Sequence, residues 1–302
     1  MWLQMTTQIG AFQLNDPLPK LEAPRLLVAL QPWVDVGSVG TMALEFLQEA
    51  WKTHPLAQLS RPGTFYDFTR FRPTTYIKDG QREVSAPNSF LHHGRSEDGS
   101  DWLLLHALEP HSHGEDYVDS LVELMGHLGV RHYCLIGSMY GPVPHTRPPI
   151  VSGRASDEAL QLRLRELGMR ESTYEGPTTI FTLVVNQAQQ LGIDTLSIVL
   201  QLPAYAQLER DYRGLHTLLA LLSSLHDLSL DLDSVLQESG LQGAALDDSV
   251  GQDPRAQAMI RELEATYDAE EDSAHVETSK LSPELERFLH DIEARWGEPE
   301  SG

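Results

Sequence analysis

Apolar residues come in short unbroken runs separated by stretches of helical period, and this alternation predicts most of the elements. Leu26-Leu27-Val28-Ala29-Leu30 reads as a buried strand, followed by a turn from Gln31 to Gly37 and an amphipathic helix over about Ser38 to Trp51. Further strands are predicted over Asp101 to Leu108, Arg131 to Ile136 and Thr195 to Leu202. Helices are predicted over Glu115 to Leu128, Asp157 to Leu167 and Thr178 to Leu191. Between Gly63 and Leu91 the pattern is rich in strands and turns, with Thr64 to Phe68 the best strand and Lys78-Asp79-Gly80-Gln81 a hairpin turn.

Short apolar strands alternating with amphipathic helices imply a largely parallel sheet covered on both faces, with the strands near Leu26, Asp101, Arg131 and Thr195 in one sheet. Residues 1–24 read as a loose lead-in, since Pro17, Pro19 and Pro24 interrupt any period. Residues 25–230 form the α/β core. Residues 231–302 form a helical appendage, with helices near Pro254 to Tyr267 and Pro283 to Trp296 and a flexible acidic linker near 268–280.

Charge sharpens this division. The chain of 302 residues carries a formal charge of −22, and residues 231–302 hold nineteen acidic side chains against five basic ones. Such a surface repels nucleic acid and anionic membranes; it fits a basic partner or simple solubility. The lone Cys134, inside an apolar run, excludes an intramolecular disulfide and suits a reducing compartment. No basic leader and no membrane-length apolar window is evident, so the expected location is cytoplasmic.

The chemistry concentrates in loops that follow the predicted strands. Pro144-His145-Thr146-Arg147-Pro148-Pro149 places an imidazole and a guanidinium two residues apart on a backbone restricted by prolines, after the small-residue turn Gly137-Ser138. A rigid His-x-Arg loop at the carboxyl edge of a sheet suits a carboxylate or phosphate; a structural ion pair for Arg147 and a backbone bond for His145 suit it equally. Asp35-Val36-Gly37-Ser38-Val39-Gly40 joins strand to helix where anions are often held on free amides. It lacks the phosphate-loop spacing, Asp35 would repel phosphate, and close strand-to-helix packing also explains the glycines. Gly176-Pro177-Thr178-Thr179 offers another helix entry, with Thr178 as an anion contact or a cap.

His111-Ser112-His113 with Glu115 and Asp116, or His92-His93, provides no third metal ligand at a fixed spacing, so no metal is expected. Gly137-Ser138-Met139-Tyr140-Gly141 has the wrong order for a nucleophile elbow. No catalytic set is complete and no cofactor is implied, so the balance leans against an enzyme and leaves the question open.

Pro32 to Gly40, Glu109-Pro110, Pro144-His145-Thr146-Arg147-Pro148, Val151-Ser152-Gly153 and Glu175-Gly176-Pro177-Thr178 together resemble the bacterial and archaeal branch of the proteasome assembly chaperone family, the branch named after the second eukaryotic chaperone. The likeness spans about Leu26 to Val250. It implies a three-layer α/β/α sandwich similar to the purine nucleoside phosphorylase fold, with a small helical C-terminal part, and a homotrimer. Eukaryotic members are non-catalytic chaperones that pair proteasome subunits. Where the family commonly shows Pro-His-Tyr, this chain has Pro203-Ala204-Tyr205, so a role needing that histidine is not expected. Some relatives carry a carboxylate–amine ligase label, but no ATP-binding lysine loop or magnesium-holding carboxylates support it here.

Two functions follow as expectations. One is a non-catalytic, assembly-chaperone-like module binding an unidentified protein partner. The other is a carboxylate- or phosphate-binding protein or an enzyme, with its site at the carboxyl edge of the sheet formed by Asp35, Gly37, Ser38, Glu109, His145, Arg147 and Thr178.

Overall fold

Leu26, Val28 and Leu30 enter one hydrophobic cluster while Leu27 and Ala29 enter another, so this strand is covered on both faces. That is why its sequence shows no polar alternation. The computed structural model describes residues 6–172 and 174–273. Its strands are β1 (Thr6–Ile9), β2 (Phe12–Asn15), β3 (Arg25–Gln31), β4 (His54–Leu59), β5 (Thr74–Lys78), β6 (Gln81–Ser85), β7 (Phe90–Arg95), β8 (Asp101–Leu108), β9 (His132–Gly141), β10 (Ile150–Ala155), β11 (Arg170–Glu171) and β12 (Asp194–Pro203).

Ten of them form one sheet in the order β1-β2-β4-β7-β8-β3-β9-β12-β10-β11. The four strands expected to lie together are its centre, β8-β3-β9-β12, and each neighbour pair is parallel. Antiparallel pairs extend the sheet from β8 to β1 and join β10 to β12.

Helices α2 (Gly114–Leu128) and α4 (Phe181–Gln190) cover the face that carries Leu26 and Val28. Helices α1 (Val39–Ala50), α3 (Glu158–Glu166) and α5 (Tyr212–His226) cover the opposite face. The fold is therefore an α/β/α sandwich. Beyond it come α6 (Asp233–Gly251) and α7 (Pro254–Ser273), with only Val235 buried in α6 and, over residues 254–270, only Ile260 and Tyr267 in α7.

Several expectations are corrected. The segment read as a loose lead-in contains β1 and β2, which pair with each other, and β2 pairs in turn with β4; the residues of β4 lie about 45 positions on, beyond any local pattern. Thr64 to Phe68 is no strand: a 3-10 turn over Pro62–Thr64 drops Phe65 and Tyr66 into the core instead. Gly137-Ser138 is no turn either, because β9 continues through it to Gly141. Helix α7 runs to Ser273, where a linker was expected from 268. The helix expected near Pro283 to Trp296 lies outside the described residues.

The hairpin turn falls where the sequence places it, with Asp79 at φ +49° and Gly80 at +77° joining β5 to β6. This hairpin forms its own two-stranded sheet and leaves Ile77 and Val84 exposed.

Candidate functional site

The four parallel strands end at one edge, so the loops after β8, β3, β9 and β12 carry Glu109, Asp35, His145 and Tyr205 to the same side of the molecule. What each side chain does there differs.

Asp35 starts α1. Its Oδ1 accepts from the Gly40 amide at 2.7 Å and the Thr41 amide at 3.1 Å, and its Oδ2 accepts from the Thr41 hydroxyl at 2.5 Å. These amides belong to the first helical turn, which has no intrahelical acceptor for them. Burial raises the Asp35 pKa, against the lowering effect of those donors.

Gly37 sits at φ +60°, and a Cβ there would lie 2.8 Å from the Asp211 Cβ; its carbonyl accepts from the Asp211 amide at 2.8 Å. Ser38 donates its hydroxyl to the Glu209 carbonyl at 2.9 Å. The loop is thus fastened to the segment before α5. On its other side the Ser138 amide and hydroxyl donate to the carbonyls of Val34 and Val36 at 3.0 and 2.6 Å, and a Cβ on Gly137 would collide with the Val34 carbonyl. Gly137-Ser138 therefore serves to seat this loop on β9.

Connections from β3 and β8 leave on opposite faces, toward α1 and α2, which is where a crevice is expected. The β3–β8 ladder runs up to its base, where the Glu109 amide donates to the Gln31 carbonyl at 2.8 Å. Glu109 Oε1 accepts from the Ile180 amide at 2.9 Å, at the entry to α4. Burial raises the Glu109 pKa, and its Oε2 has no hydrogen-bond partner among the described residues. Thr178 pairs its hydroxyl with that of Thr182 at 2.7 Å, three residues ahead of the helix that was expected to start there. The helix entry is capped by a carboxylate from 71 residues away.

His145 and Arg147 meet the appendage instead. The side chain of His145 is only 7% exposed. Its backbone amide donates to the Tyr205 hydroxyl at 2.7 Å, its Nδ1 lies 2.5 Å from the same hydroxyl, and its Nε2 lies 3.0 Å from Asp247 Oδ1 on α6. Tyr205 and Asp247 thus engage both ring nitrogens of His145. Burial pushes the Tyr205 pKa up to about 12, so it remains a donor at neutral pH.

Arg147 grips Asp268 on α7 with two bonds, Nε to Oδ1 at 2.8 Å and Nη2 to Oδ2 at 2.7 Å, and reaches Glu264 Oε1 at 3.2 Å. Thr146 donates to the same Glu264 oxygen at 2.5 Å. The hydrogen bonds to Asp268 are the foremost reason that the Arg147 pKa is raised and that of Asp268 lowered.

A cavity of about 40 Å³ lies beside this loop, lined by His145, Arg147, Asp211, Arg213, Gln242 and Leu246 among others. Asp35 and Glu109 are not in its lining. Asp211 is itself a cap, accepting from the Gly214 amide at 2.7 Å, and burial raises its pKa while lowering that of Arg213. The volume holds a few waters; sites for drug-sized ligands enclose roughly 300–1,000 Å³.

Sequence reasoning missed Tyr205, Asp211, Asp247, Glu264 and Asp268. The signals were the carboxylate excess after residue 231 and the i, i+4 spacing of Glu264 and Asp268, neither of which names the loop they meet. Elsewhere, His111 accepts from the Asp67 amide at 3.3 Å and His113 lies 3.2 Å from Asp116. Among the described residues no three His, Cys, Asp or Glu side chains gather into a metal-ligating group, and no helix is long and apolar enough to cross a membrane. Cys134 is buried, which pushes its thiol pKa up.

Known proteins share this arrangement of elements. A PAC2 family protein from Streptomyces avermitilis is 26% identical, with a TM-score of 0.71 over 80% of this chain and 99% of that one. A proteasome-assembly chaperone homologue from Mycobacterium tuberculosis, at 24% identity, has a TM-score of 0.69 over 78% of this chain and 99% of its own. An archaeal proteasome activator from Pyrococcus furiosus, at 15% identity, has a TM-score of 0.62 over 82% and 99%. These last two likenesses show the fold. No curated protein matches the chain. The family model described as PAC2 matches residues 29–248, from the first core strand through nearly all of α6, and the chain belongs to the PAC2 family.

Proposed function

We propose that this chain is a non-catalytic, assembly-chaperone-like protein that acts by binding another protein. The observation that carries this reading is that the polar groups a small-molecule site would use are engaged by the chain itself, Glu109 Oε2 excepted. Asp35 and Glu109 cap helices, and His145 and Arg147 are held by carboxylates of α6 and α7. The cavity beside His145 and Arg147 suits a few waters only. Family membership supports the same reading, as does the fold shared with a proteasome-assembly chaperone homologue and a proteasome activator.

The working form in this proposal is a cytoplasmic homo-oligomer, a trimer, consistent with the general preference for closed symmetry. Light scattering that shows only a 33.7 kDa species at micromolar concentrations overturns that part. The function is tested by capture of the tagged chain from its native host with mass spectrometry, beside calorimetric titration with phosphate and small carboxylates. A stable stoichiometric partner and no heat of binding are expected. Tight anion binding that Arg147→Ala abolishes overturns the reading in favour of a small-molecule site.

A further inference from the structure

Helix α7 is attached mainly through polar side chains. Whereas α5 buries Leu215, Leu218, Leu219 and Leu222, only Ile260 and Tyr267 are buried among residues 254–270 of α7. Tyr267 packs with Val143 and Ile150, which flank the proline loop. Its polar attachments include Glu264 to Thr146 and Arg147, Asp268 to Arg147, and Glu270 to Arg170 at 3.0 Å. Residues 264, 267 and 268 share one helical face, so carboxylate, aromatic ring and carboxylate descend on the loop together.

The surface beneath has the properties of a receptor. In a chain of formal charge −22 it gathers two guanidinium groups. Pro144, Pro148 and Pro149 restrict its backbone, which lowers the entropy lost on binding. Its contact with Asp268 is the two-bond geometry by which arginine recognises carboxylates. What occupies it is weakly anchored, because Arg147 is one-third exposed and Asp268 half exposed, so salt screens their attraction.

We propose that the surface formed by Val143, Thr146, Arg147, Ile150 and Arg170 is a docking site for an acidic helix of a partner protein, and that α7 is its exchangeable occupant in the free chain. The incoming helix carries an aromatic residue between two carboxylates on one face, the chemistry α7 displays. Displacement leaves the sandwich intact, since few apolar side chains of α7 are buried and such segments open below the global unfolding free energy. The proposal rests on the protein-binding reading above, which also holds for partners that dock on another face, so the two fail separately.

The probe is a fluorescent synthetic peptide of residues 254–273 added to the full chain. In the wild type the tethered α7 competes at high effective concentration, and binding is weak. In the full chain carrying Glu264→Gln and Asp268→Asn, amide exchange of α7 accelerates and the peptide binds at least about tenfold more tightly. That gain disappears when Arg147→Ala is added, and also when the peptide itself carries the two neutral substitutions. Released α7 with no gain in peptide affinity overturns the docking site; α7 that stays protected overturns its exchangeability. A second measurement needs no variant: in the wild type, raising salt from about 0.05 M to about 0.5 M should accelerate exchange in α7 and leave α5 unchanged. Exchange in α7 that is insensitive to salt also overturns the proposal.

Discussion

Asp35→Ala separates a capping carboxylate from a ligand-holding one. The substitution leaves the Gly40 and Thr41 amides without their side-chain acceptor at the buried start of α1 and removes the acceptor of the Thr41 hydroxyl, which keeps Gln31 Nε2 as a donor. Loss of a helix cap is worth about 1 kcal/mol, and a further buried donor left unpaired about 1–3 kcal/mol. Against this, the variant no longer buries a carboxyl whose native pKa is raised by desolvation, which returns part of the loss. The net expectation is a destabilisation of roughly 2–3 kcal/mol. With an unfolding entropy near 2.1 cal/mol/K per residue, a folded unit of about 270 residues then melts roughly 4–5 °C lower. Asp35→Asn, which keeps an oxygen acceptor for the amides, should lose less than about 1 kcal/mol.

The raised native pKa adds a pH signature. Between the unfolded and native values the folded state holds the extra proton, so the contribution of Asp35 is full below the ordinary aspartate range and declines as pH rises through the native pKa. The gap between wild type and alanine variant should therefore be wider at about pH 4 than at about pH 7. Thermal melts by circular dichroism at both pH values, with amide exchange at residues 40 and 41, provide the assay. A variant that melts within about 1 °C of wild type with unchanged exchange at those amides would falsify the capping argument.

Other perturbations have equally definite outcomes. Glu109→Gln retains an acceptor for the Ile180 amide and removes a carboxyl whose pKa burial raises, so the fall in stability above about pH 4.5 should flatten; an unchanged pH slope in urea titrations refutes the assignment. Tyr205→Phe strips the His145 amide of its acceptor and should cost about 1–2 kcal/mol, and a neutral result would mean that water replaces the hydroxyl. Gly37→Ala places a Cβ at φ +60° and 2.8 Å from the Asp211 Cβ, so a loss of about 2–4 kcal/mol is expected, whereas an unaltered melting temperature would show that the loop shifts freely.

The centre of the sheet was legible in the sequence because its causes are local. A strand buried on both faces must be a short apolar run, and β3, β8, β9 and β12 are such runs joined by helices or crossovers, which makes their parallel arrangement the economical solution. The Asp79-Gly80 turn was equally plain, since two successive residues with positive φ select those types. Strands β1 and β2 were hidden because an edge hairpin only half covered by the core has weak patterning, and prolines follow it closely. Phe65 and Tyr66 imitated a strand because a 3-10 turn can bury consecutive aromatic residues as well as a strand can.

For the site, the sequence by itself determined which groups have chemistry to offer and that Asp35, Glu109 and His145 reach one edge of the sheet, because the loops after parallel strands emerge on the same side. It did not determine what those groups meet. Whether a carboxylate caps a helix or holds a ligand depends on which amide comes within 3 Å of it. For Glu109 that amide lies 71 residues away, and the carboxylate held by Arg147 lies 121 residues away. Charge composition recorded the excess of acid after residue 231, but composition has no direction. Only the packing of α6 and α7 against the proline loop turned that excess into particular ion pairs, because a salt bridge is set by distance in space and no local pattern encodes it.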